Sequence, residues 1–309
     1  MSIGFSPAVL VDGLHFPEGP RWRSTSGDAA GAAAGKLFFS DILAGKVMAV
    51  DLEGRLETLA EVPQMASGLG WLADGTLLVV SVQDGKLLAL RAGELTQVAD
   101  MYDLSRLPCN DMVVDARGRA FVGSVGSGVD EEKHPGPGNM PHFSHILLVD
   151  FSSGAAPVPA RVRIVAERMT TPNGSVITPD GRTLIVAESF GFRLSAFDIE
   201  ADGSLVNRRI WADLGVPPDG ICLDEEGCVW VAVPYYRYGS AGGYIRVQEG
   251  GKVRQQFDVE GYSPYACTLG GAEMRTLFLC ESAILGLPRH PGDGRICMVD
   301  VEVPGSGSP

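Results

Sequence analysis

The sequence predicts an all-β protein folded as a six-bladed β-propeller. Six short runs, each dense in β-branched, aromatic or leucine residues and each following a polar turn, recur along the chain. Their last residues are separated by about 41, 43, 65, 44 and 49 residues, and each interval contains further strand-like runs. A repeat of 40–50 residues with about four strands is typical of propeller blades. With 40 Gly and 20 Pro among 309 residues, turns are favoured over long helices.

The six runs give the order of the predicted blades. They are KLFFSD (36–41), TLLVVS (76–81), RAFVGS (119–124), TLIVAES (183–189), CVWVAV (228–233) and TLFLCES (276–282). The run RICMVDVEV (295–303) is expected to close the sixth blade, so that residues 1–309 form a single domain. The third interval is about 20 residues longer than its neighbours because of residues 126–145, which are rich in Gly, Pro and His. We predict that this insertion is a surface loop that can act as a lid over the channel mouth.

Composition and charge narrow the classes of partner. Lys and Arg number 25 against 38 Asp and Glu, and the net charge of −13 disfavours nucleic acids and anionic membranes. The N-terminus does not resemble a signal peptide, and no stretch approaches the roughly 20 apolar residues of a membrane helix. The six cysteines form no CxxC pair, so buried thiols are expected. We therefore predict a cytoplasmic protein, a monomer or small homo-oligomer, that acts on a small molecule.

A short motif precedes each pair of inner strands and places one residue at a repeated position. The motifs are PEGPRW, ASGLGW, CNDMVV, PNGSVI, PDGICL and, more loosely, PYACTL. In four of them the second residue lies eight residues before the Gly of the next turn, as from Asn173 to Gly181. Rotational symmetry brings equivalent positions of a propeller into one ring around its central channel. The predicted ring consists of Glu18, Ser67, Asn110, Asn173, Asp219 and Tyr265.

The composition of this ring predicts a metal site in the central channel. Two carboxylates, from Glu18 and Asp219, and two amides, from Asn110 and Asn173, supply oxygens that suit a hard or borderline divalent cation. Two carboxylates converging in a narrow channel would be costly without one. The alternative is that the Asn-Gly and Asp-Gly pairs are ordinary tight turns. The matched register of four motifs favours the metal site over that alternative.

The motifs also resemble the senescence-marker-protein/gluconolactonase/luciferin-regenerating-enzyme family over nearly the whole chain. The matching segments are FPEGPRW (16–22), NDMVVDARGRAFVG (110–123), TPNGSVITPDGRTLIVAES (171–189) and PPDGICLDEEGCVWVA (217–232). The resemblance implies a six-bladed propeller holding one divalent ion, with calcium or zinc ahead of magnesium or manganese. It implies Glu18, Asn173 and Asp219 as metal ligands. It further implies lactone hydrolysis, with Asp219 as general base and Asn110 in contact with the substrate or the metal.

One departure from the family pattern concerns how the substrate is held. Sugar lactonases of this family carry an Arg two residues before the Asn of the third motif, where this chain has Pro108 and its nearest basic residue is Arg106. A carboxylate expected after the inner strand of that blade is also missing, since the run there is GSVGSG. We therefore expect a lactone or ester that is less polar than a sugar lactone. The residues proposed to contact it are Asn110, Met112, Phe143, Glu188, Phe190, Tyr235, Tyr236 and Tyr265.

Other functions stay open on the sequence. A metal-dependent aryl-ester or phosphotriester hydrolase would use similar oxygen ligands, and in a metal-assisted lyase or isomerase Asp219 would take a proton beside a carbonyl group. A non-catalytic calcium-binding scaffold has no need for an open metal position. The favoured hypothesis is a metal-dependent hydrolase that opens a lactone ring, in which Asp219 takes a proton from water and Asn110 orients the carbonyl group.

Overall fold

Six four-stranded antiparallel sheets make up the protein in a computed structural model, which describes residues 6–24, 35–125, 144–151, 160–235, 242–284 and 290–307. The innermost strands contact one another in a closed circle, from the first blade to the sixth and back to the first. This arrangement confirms the predicted six-bladed propeller.

Each blade contributes one strand to each of four positions between the channel and the outer edge. The innermost strands are β2 (Pro17–Ser24), β6 (Ala66–Trp71), β10 (Cys109–Val114), β14 (Pro172–Ile177), β18 (Ile221–Leu223) and β22 (Ser263–Gly270). The second strands are β3 (Gly35–Asp41), β7 (Leu77–Ser81), β11 (Arg119–Ser124), β15 (Thr183–Glu188), β19 (Val229–Val233) and β23 (Thr276–Ser282).

The outer half of each blade follows the same pattern. The third strands are β4 (Lys46–Val50), β8 (Lys86–Arg91), β12 (Ser144–Asp150), β16 (Arg193–Ile199), β20 (Gly243–Val247) and β24 (Gly294–Asp300). The outermost strands are β5 (Leu56–Glu61), β9 (Glu94–Asp100), β13 (Arg161–Met169), β17 (Leu205–Asp213), β21 (Val253–Asp258) and β1 (Ala8–Leu14). A short helix α1 (Tyr102–Ser105) and one 3₁₀ turn (Ser189–Gly191) also occur in the described ranges.

The six runs that define the repeat are the second strands. All five residues of β7 and all six of β11 are buried, because each blade packs on both faces against its neighbours. The core therefore lies between blades, as where Leu78 and Val80 meet Val122 and Leu147. The predicted turns are also present: Gly75, with φ +85°, and Gly181, with φ +70°, adopt the left-handed conformation that glycine allows without steric cost.

The sixth blade closes differently from the prediction. The run 295–303 supplies its third strand, β24, and the outermost strand is β1 from the start of the chain. The pairing is antiparallel, with Ala8 opposite Met298 and Leu14 opposite Gly294. The first and last strands are thus neighbours, and this joint completes the circle.

The ring positions coincide with irregularities in the innermost strands. Register shifts follow Glu18 in β2 and Pro172 in β14, and bulges of this kind redirect a side chain. The tight-turn alternative is wrong for the Asn-Gly pair, since Asn173 and Gly174 lie within β14. Glycine is required there because a Cβ on Gly174 would lie 2.5 Å from the backbone nitrogen of Ile221 in the next blade.

Three further expectations can be compared with the described residues. Residues 126–143 of the predicted lid lie outside them, and Ser144 and His145, placed in the loop from sequence, begin β12. All six cysteines are free and buried, as predicted. In the part of the chain that the structure describes, no helix has the length and apolar character needed to cross a bilayer.

Candidate functional site

The six predicted ring residues all lie at the same end of the innermost strands. Five lie within the strands, Glu18 in β2, Ser67 in β6, Asn110 in β10, Asn173 in β14 and Tyr265 in β22. Asp219 precedes β18 by two residues, and its backbone N–H donates to the carbonyl of Ala232 in the neighbouring strand at 2.9 Å. The repeat thus delivers one side chain from each blade to a common level of the channel.

Glu18 and Asp219 are two buried carboxylates, and the negative charge of Asp219 acts on Glu18. Each residue is 8% exposed. Burial and the negative charge of Asp219 hold the pKa of Glu18 well above its usual range, although the Gly19 N–H donates to Glu18 Oε2 at 2.9 Å. Burial and the charge of Asp111 likewise raise the pKa of Asp219 well above normal, against a hydrogen bond from Asn173. Two ionised carboxylates at this level of the channel are therefore costly unless a cation accompanies them.

One oxygen of this pair has no partner at all among the described residues. Asp219 Oδ1 is buried and accepts no hydrogen bond there. Buried polar atoms are almost always hydrogen-bonded, so such an exception calls for a ligand to complete it. The free oxygen marks Asp219 as the group that an ion or a reacting molecule would contact.

The two asparagines are oriented by neighbouring hydroxyl groups. Ser67 Oγ donates to Asn110 Oδ1 at 3.4 Å, which leaves the amide N–H groups of Asn110 as donors. Asn173 Nδ2 donates to Ser189 Oγ at 3.2 Å. The Asn173 amide nitrogen is thereby engaged, and its carbonyl oxygen is left for another partner.

These residues fit a divalent cation with oxygen ligands. Within the described ranges, no three His, Cys, Asp or Glu side chains form a metal-binding group, so amide oxygens would have to complete a site here. Glu18, Asp219 and Asn173 supply two carboxylates and one amide, the oxygen donors that hard cations prefer. The unpartnered Oδ1 of Asp219 is the observation that supports this fit.

Sequence reasoning missed two charged residues beside the ring, Arg21 and Asp111. Their side chains are 9% and 8% exposed and form an ion pair of 3.1 Å. A signal was present in the sequence: Asp111 follows a ring residue at a position where the other blades have only Gly or Ala. Those small residues are Gly19, Gly68, Gly174, Gly220 and Ala266.

Glu188 lies at the mouth end of the fourth blade, but both of its carboxylate oxygens already have hydrogen-bond partners. It accepts hydrogen bonds from Thr170 N at 2.9 Å and Ser195 Oγ at 2.5 Å, and it pairs with Arg193 at 3.1 Å and Arg208 at 2.9 Å. Burial alone would raise its pKa, but these hydrogen bonds, led by those of Ser195 and Arg193, lower the pKa to about 2. Both oxygens are used within the blade, so Glu188 is not part of the substrate site proposed below.

The apolar residues proposed for the channel mouth divide into three groups. The prediction that Met112 contacts the substrate is wrong. Its side chain is fully buried in the core between the second and third blades, because the register shift in β10 turns it away from the channel. Phe190, half-buried, and Tyr235, 37% exposed, follow second strands at the mouth end. Phe143 and Tyr236 lie outside the described residues.

Tyr265 occupies the ring position of the sixth blade, where its hydroxyl is already used. The hydroxyl donates to the carbonyl oxygen of Ala283 at 2.6 Å, and its ring packs on Phe16 with centroids 4.4 Å apart. The residue is only 2% exposed. These contacts give Tyr265 a structural role in joining the sixth blade to the first.

The sequence profile described as the SMP-30/gluconolactonase/LRE-like region matches residues 16–283. The chain belongs to this family. Among curated relatives, an uncharacterized protein of Sulfolobus acidocaldarius is 27% identical over 299 residues, covering 93% of each chain. Regucalcin of Oryctolagus cuniculus is 25% identical over 285 residues, covering 88% of this chain and 84% of that one.

Solved structures of SMP-30/gluconolactonase/LRE-like proteins share the fold. A luciferin-regenerating enzyme superposes with a TM-score of 0.76 at 16% identity, covering 97% of each chain. A calcium-binding regucalcin of Agrobacterium tumefaciens gives 0.75 at 22% identity, covering 99% of this chain and 97% of that one. A gluconolactonase of Xanthomonas campestris gives 0.70 at 20% identity, covering 96% and 89%. At these identities the likeness extends to the propeller alone.

Proposed function

We propose that this protein is a metal-dependent hydrolase that opens a lactone ring. The observation that carries the proposal is the buried pair of Glu18 and Asp219, in which one Asp219 oxygen has no partner among the described residues. Family membership supports the reaction class, because the family description names gluconolactonase and a gluconolactonase shares the fold. Together they favour a hydrolase over a propeller with a purely structural channel.

Glu18, Asn173 and Asp219 would hold one divalent ion, with calcium or zinc favoured over magnesium or manganese. Such an ion, when bound, polarises a carbonyl group and makes a water molecule more acidic. Asp219 takes a proton from the attacking water, and the water oxygen bonds to the lactone carbonyl carbon. The ring C–O bond then breaks, and the same proton passes to the departing ring oxygen, giving a hydroxy acid.

Asn110 is the second group that acts on the substrate. Because Ser67 fixes its amide oxygen, its N–H groups can donate to the carbonyl oxygen as negative charge develops there. Glu18 acts only through its charge and as a ligand. Each of these roles uses the atoms that the side chain's existing hydrogen bonds leave available.

We further propose that the substrate is less polar than a sugar lactone. Arg106 does not replace the arginine that Pro108 displaces, since its side chain is 70% exposed and pairs with Asp103 at 3.5 Å. Tyr235 and Phe190 at the mouth end offer aromatic surface in place of charged hydrogen-bond donors. A lactone with an alkyl or aryl substituent fits this lining better than a polyhydroxylated one.

The test is a hydrolysis screen on the purified protein. Metal content is measured first, and proton release from sugar lactones, alkyl and aryl lactones, aryl esters and phosphotriesters is then followed before and after chelation. Chelator-sensitive opening of alkyl or aryl lactones, restored by one added divalent ion, is the expected result. Bound metal without hydrolysis of any of these would contradict the proposal.

A calcium-binding propeller without turnover is the second candidate. It is favoured by the likeness to regucalcin, which is described as a calcium-binding protein in Agrobacterium tumefaciens. The same two carboxylates and amide oxygens would serve it. In the screen above it would give stoichiometric calcium and no proton release, which separates it from the hydrolase.

A further inference from the structure

Arg21 and Asp111 form a buried ion pair between two blades that are not neighbours. Arg21 lies in β2 of the first blade and Asp111 in β10 of the third, with the second blade between them. Besides the 3.1 Å contact with Asp111 Oδ1, Arg21 Nη2 donates to the carbonyl oxygen of Met112 at 2.5 Å. Nη1 donates to the carbonyl of Pro20 at 2.9 Å. The guanidinium therefore ties the first blade to the third at the channel wall.

Folding of the repeat does not require a carboxylate at this position. Four other blades have glycine there, and at Gly68 a Cβ would lie 2.4 Å from the backbone nitrogen of Met112. Gly68 thus lets β10 come close to β6, which moves Asp111 toward the first blade. The third blade alone departs from Gly or Ala, so this aspartate is a feature of the site and not a requirement of the repeat.

The ion pair belongs to the same electrostatic unit as the proposed metal ligands. The charge of Asp111 raises the pKa of both Glu18 and Asp219, behind burial in each case, and the charge of Arg21 opposes the shift at Glu18. Three buried carboxylates and one guanidinium carry a formal charge of −2. One divalent cation would neutralise that charge.

We propose that Arg21 is the positioning and charge-setting residue of the site. By holding Asp111 and the Met112 carbonyl, it fixes the strand segment that carries Asn110. By cancelling the charge of Asp111, it leaves Glu18 and Asp219 as the two charges for a cation to neutralise, so that the loaded site is neutral with a divalent ion. This inference rests on the proposed function, because it takes the metal site as given.

The test compares binding of Ca²⁺ and Tb³⁺ to the 309-residue protein after chelation, by calorimetry and terbium luminescence. Asp111→Asn leaves the positive charge of Arg21 without its partner and reduces the negative charge of the site from −2 to −1. The Ca²⁺ affinity should therefore fall by about tenfold or more. Arg21→Gln makes the charge −3 and shifts preference toward Tb³⁺ by about tenfold or more. The double variant returns the charge to −2, and its Ca²⁺ affinity recovers to within about threefold of the wild type.

A matched control is available in the same blade. Arg119 and Asp115 form a pair of 2.6 Å with side chains 4% and 6% exposed, at the opposite end of β11 from the ring. Arg119→Gln should lower the unfolding temperature and leave both cation affinities unchanged. If Arg21→Gln does not fold, the comparison of Asp111→Asn with the double variant still decides, since the double variant contains no unpaired charge.

The outcomes separate this inference from the proposed function. Wild-type protein that binds neither ion would overturn both. Wild-type protein that binds Ca²⁺, with a double variant as weak as Asp111→Asn, would overturn the charge-setting role alone. Recovery in the double variant, together with opposite shifts of the preference for Tb³⁺ in the two single variants, supports it, because a loss of packing alone would weaken the binding of both ions alike.

Discussion

Two buried carboxylates near the channel mouth, Glu188 in the fourth blade and Asp219 in the fifth, have opposite surroundings. Glu188 is held by two arginines and several hydroxyl and amide donors, and its pKa is lowered to about 2. Asp219 has one oxygen without a partner among the described residues, and burial together with the charge of Asp111 raises its pKa well above normal. Burial is similar in both, so the difference comes from their partners.

This contrast separates a structural carboxylate from one available for chemistry. A carboxylate whose two oxygens are both hydrogen-bonded stabilises the fold and has no free lone pair for a ligand. A buried carboxylate with an unpartnered oxygen costs stability and is retained where a ligand binds that oxygen.

Replacing Asp219 should remove activity without unfolding the protein. Asp219→Asn eliminates the proposed proton acceptor and one metal ligand, so the rate of lactone opening should fall by about 10²–10⁴-fold. The chelated variant should be as stable as the chelated wild type or more stable, because an uncompensated buried charge is gone. Hydrolysis rates and urea unfolding measure the two effects. An active variant of normal stability would place the chemistry elsewhere.

Replacing Glu188 should give the reverse result. Glu188→Gln leaves Arg193 and Arg208 without their carboxylate and should lower the free energy of unfolding by about 3 kcal/mol. Metal affinity should be unchanged, since Glu188 is held within its own blade. Urea unfolding and calorimetric metal titration provide the comparison. A variant that keeps its stability and loses metal affinity would move Glu188 into the site.

The stabilising effect of Glu188 should depend on pH in a defined window. Its pKa is lowered from 4.5 to about 2, so the folded state binds a proton less readily than the unfolded state. The stability difference between wild type and Glu188→Gln should therefore be constant above about pH 4.5 and shrink as the pH falls toward 2. Unfolding free energies of both proteins, measured from pH 3 to pH 7, test this. A difference that grows on acidification would have the wrong sign.

The smallest effect is expected at Tyr265. Tyr265→Phe removes the hydrogen bond to the Ala283 carbonyl and should cost about 1 kcal/mol of unfolding free energy. Activity should stay within about twofold, because the hydroxyl is engaged inside the blade. A tenfold or larger loss in kcat/KM at unchanged stability would return Tyr265 to the substrate site.

Much of the fold could be predicted because the repeat is defined by spacings between residues that are close in sequence. The distance from Asn173 to Gly181 reflects one strand and one turn, and the turn glycine has the positive φ that this implies. The outermost strand of the sixth blade could not be found in this way. The residues of β24 that pair with it lie 280 to 290 positions further along the chain, and no local sequence pattern indicates that pairing.

The site was predictable only where it follows the repeat. Asn173 and Asp219 follow from the repeated spacing and Glu18 from its motif, and the family resemblance implies all three as metal ligands. Arg21, in contrast, pairs with Asp111, which lies 90 residues further along the chain and two blades away. Met112 was misplaced because strict alternation along β10 fails at its register shift. Glu188 could be located at a strand end, but its four donors come from three different segments.

The joint between β1 and β24 also affects how the protein folds during synthesis. Residues 8–14 are synthesised long before their partner strand, 294–300. Until then the first strand has no edge to pair with, and the first and sixth blades cannot meet. Five blades can therefore form in turn on the growing chain, whereas closure of the circle has to wait until residues 294–300 have been synthesised.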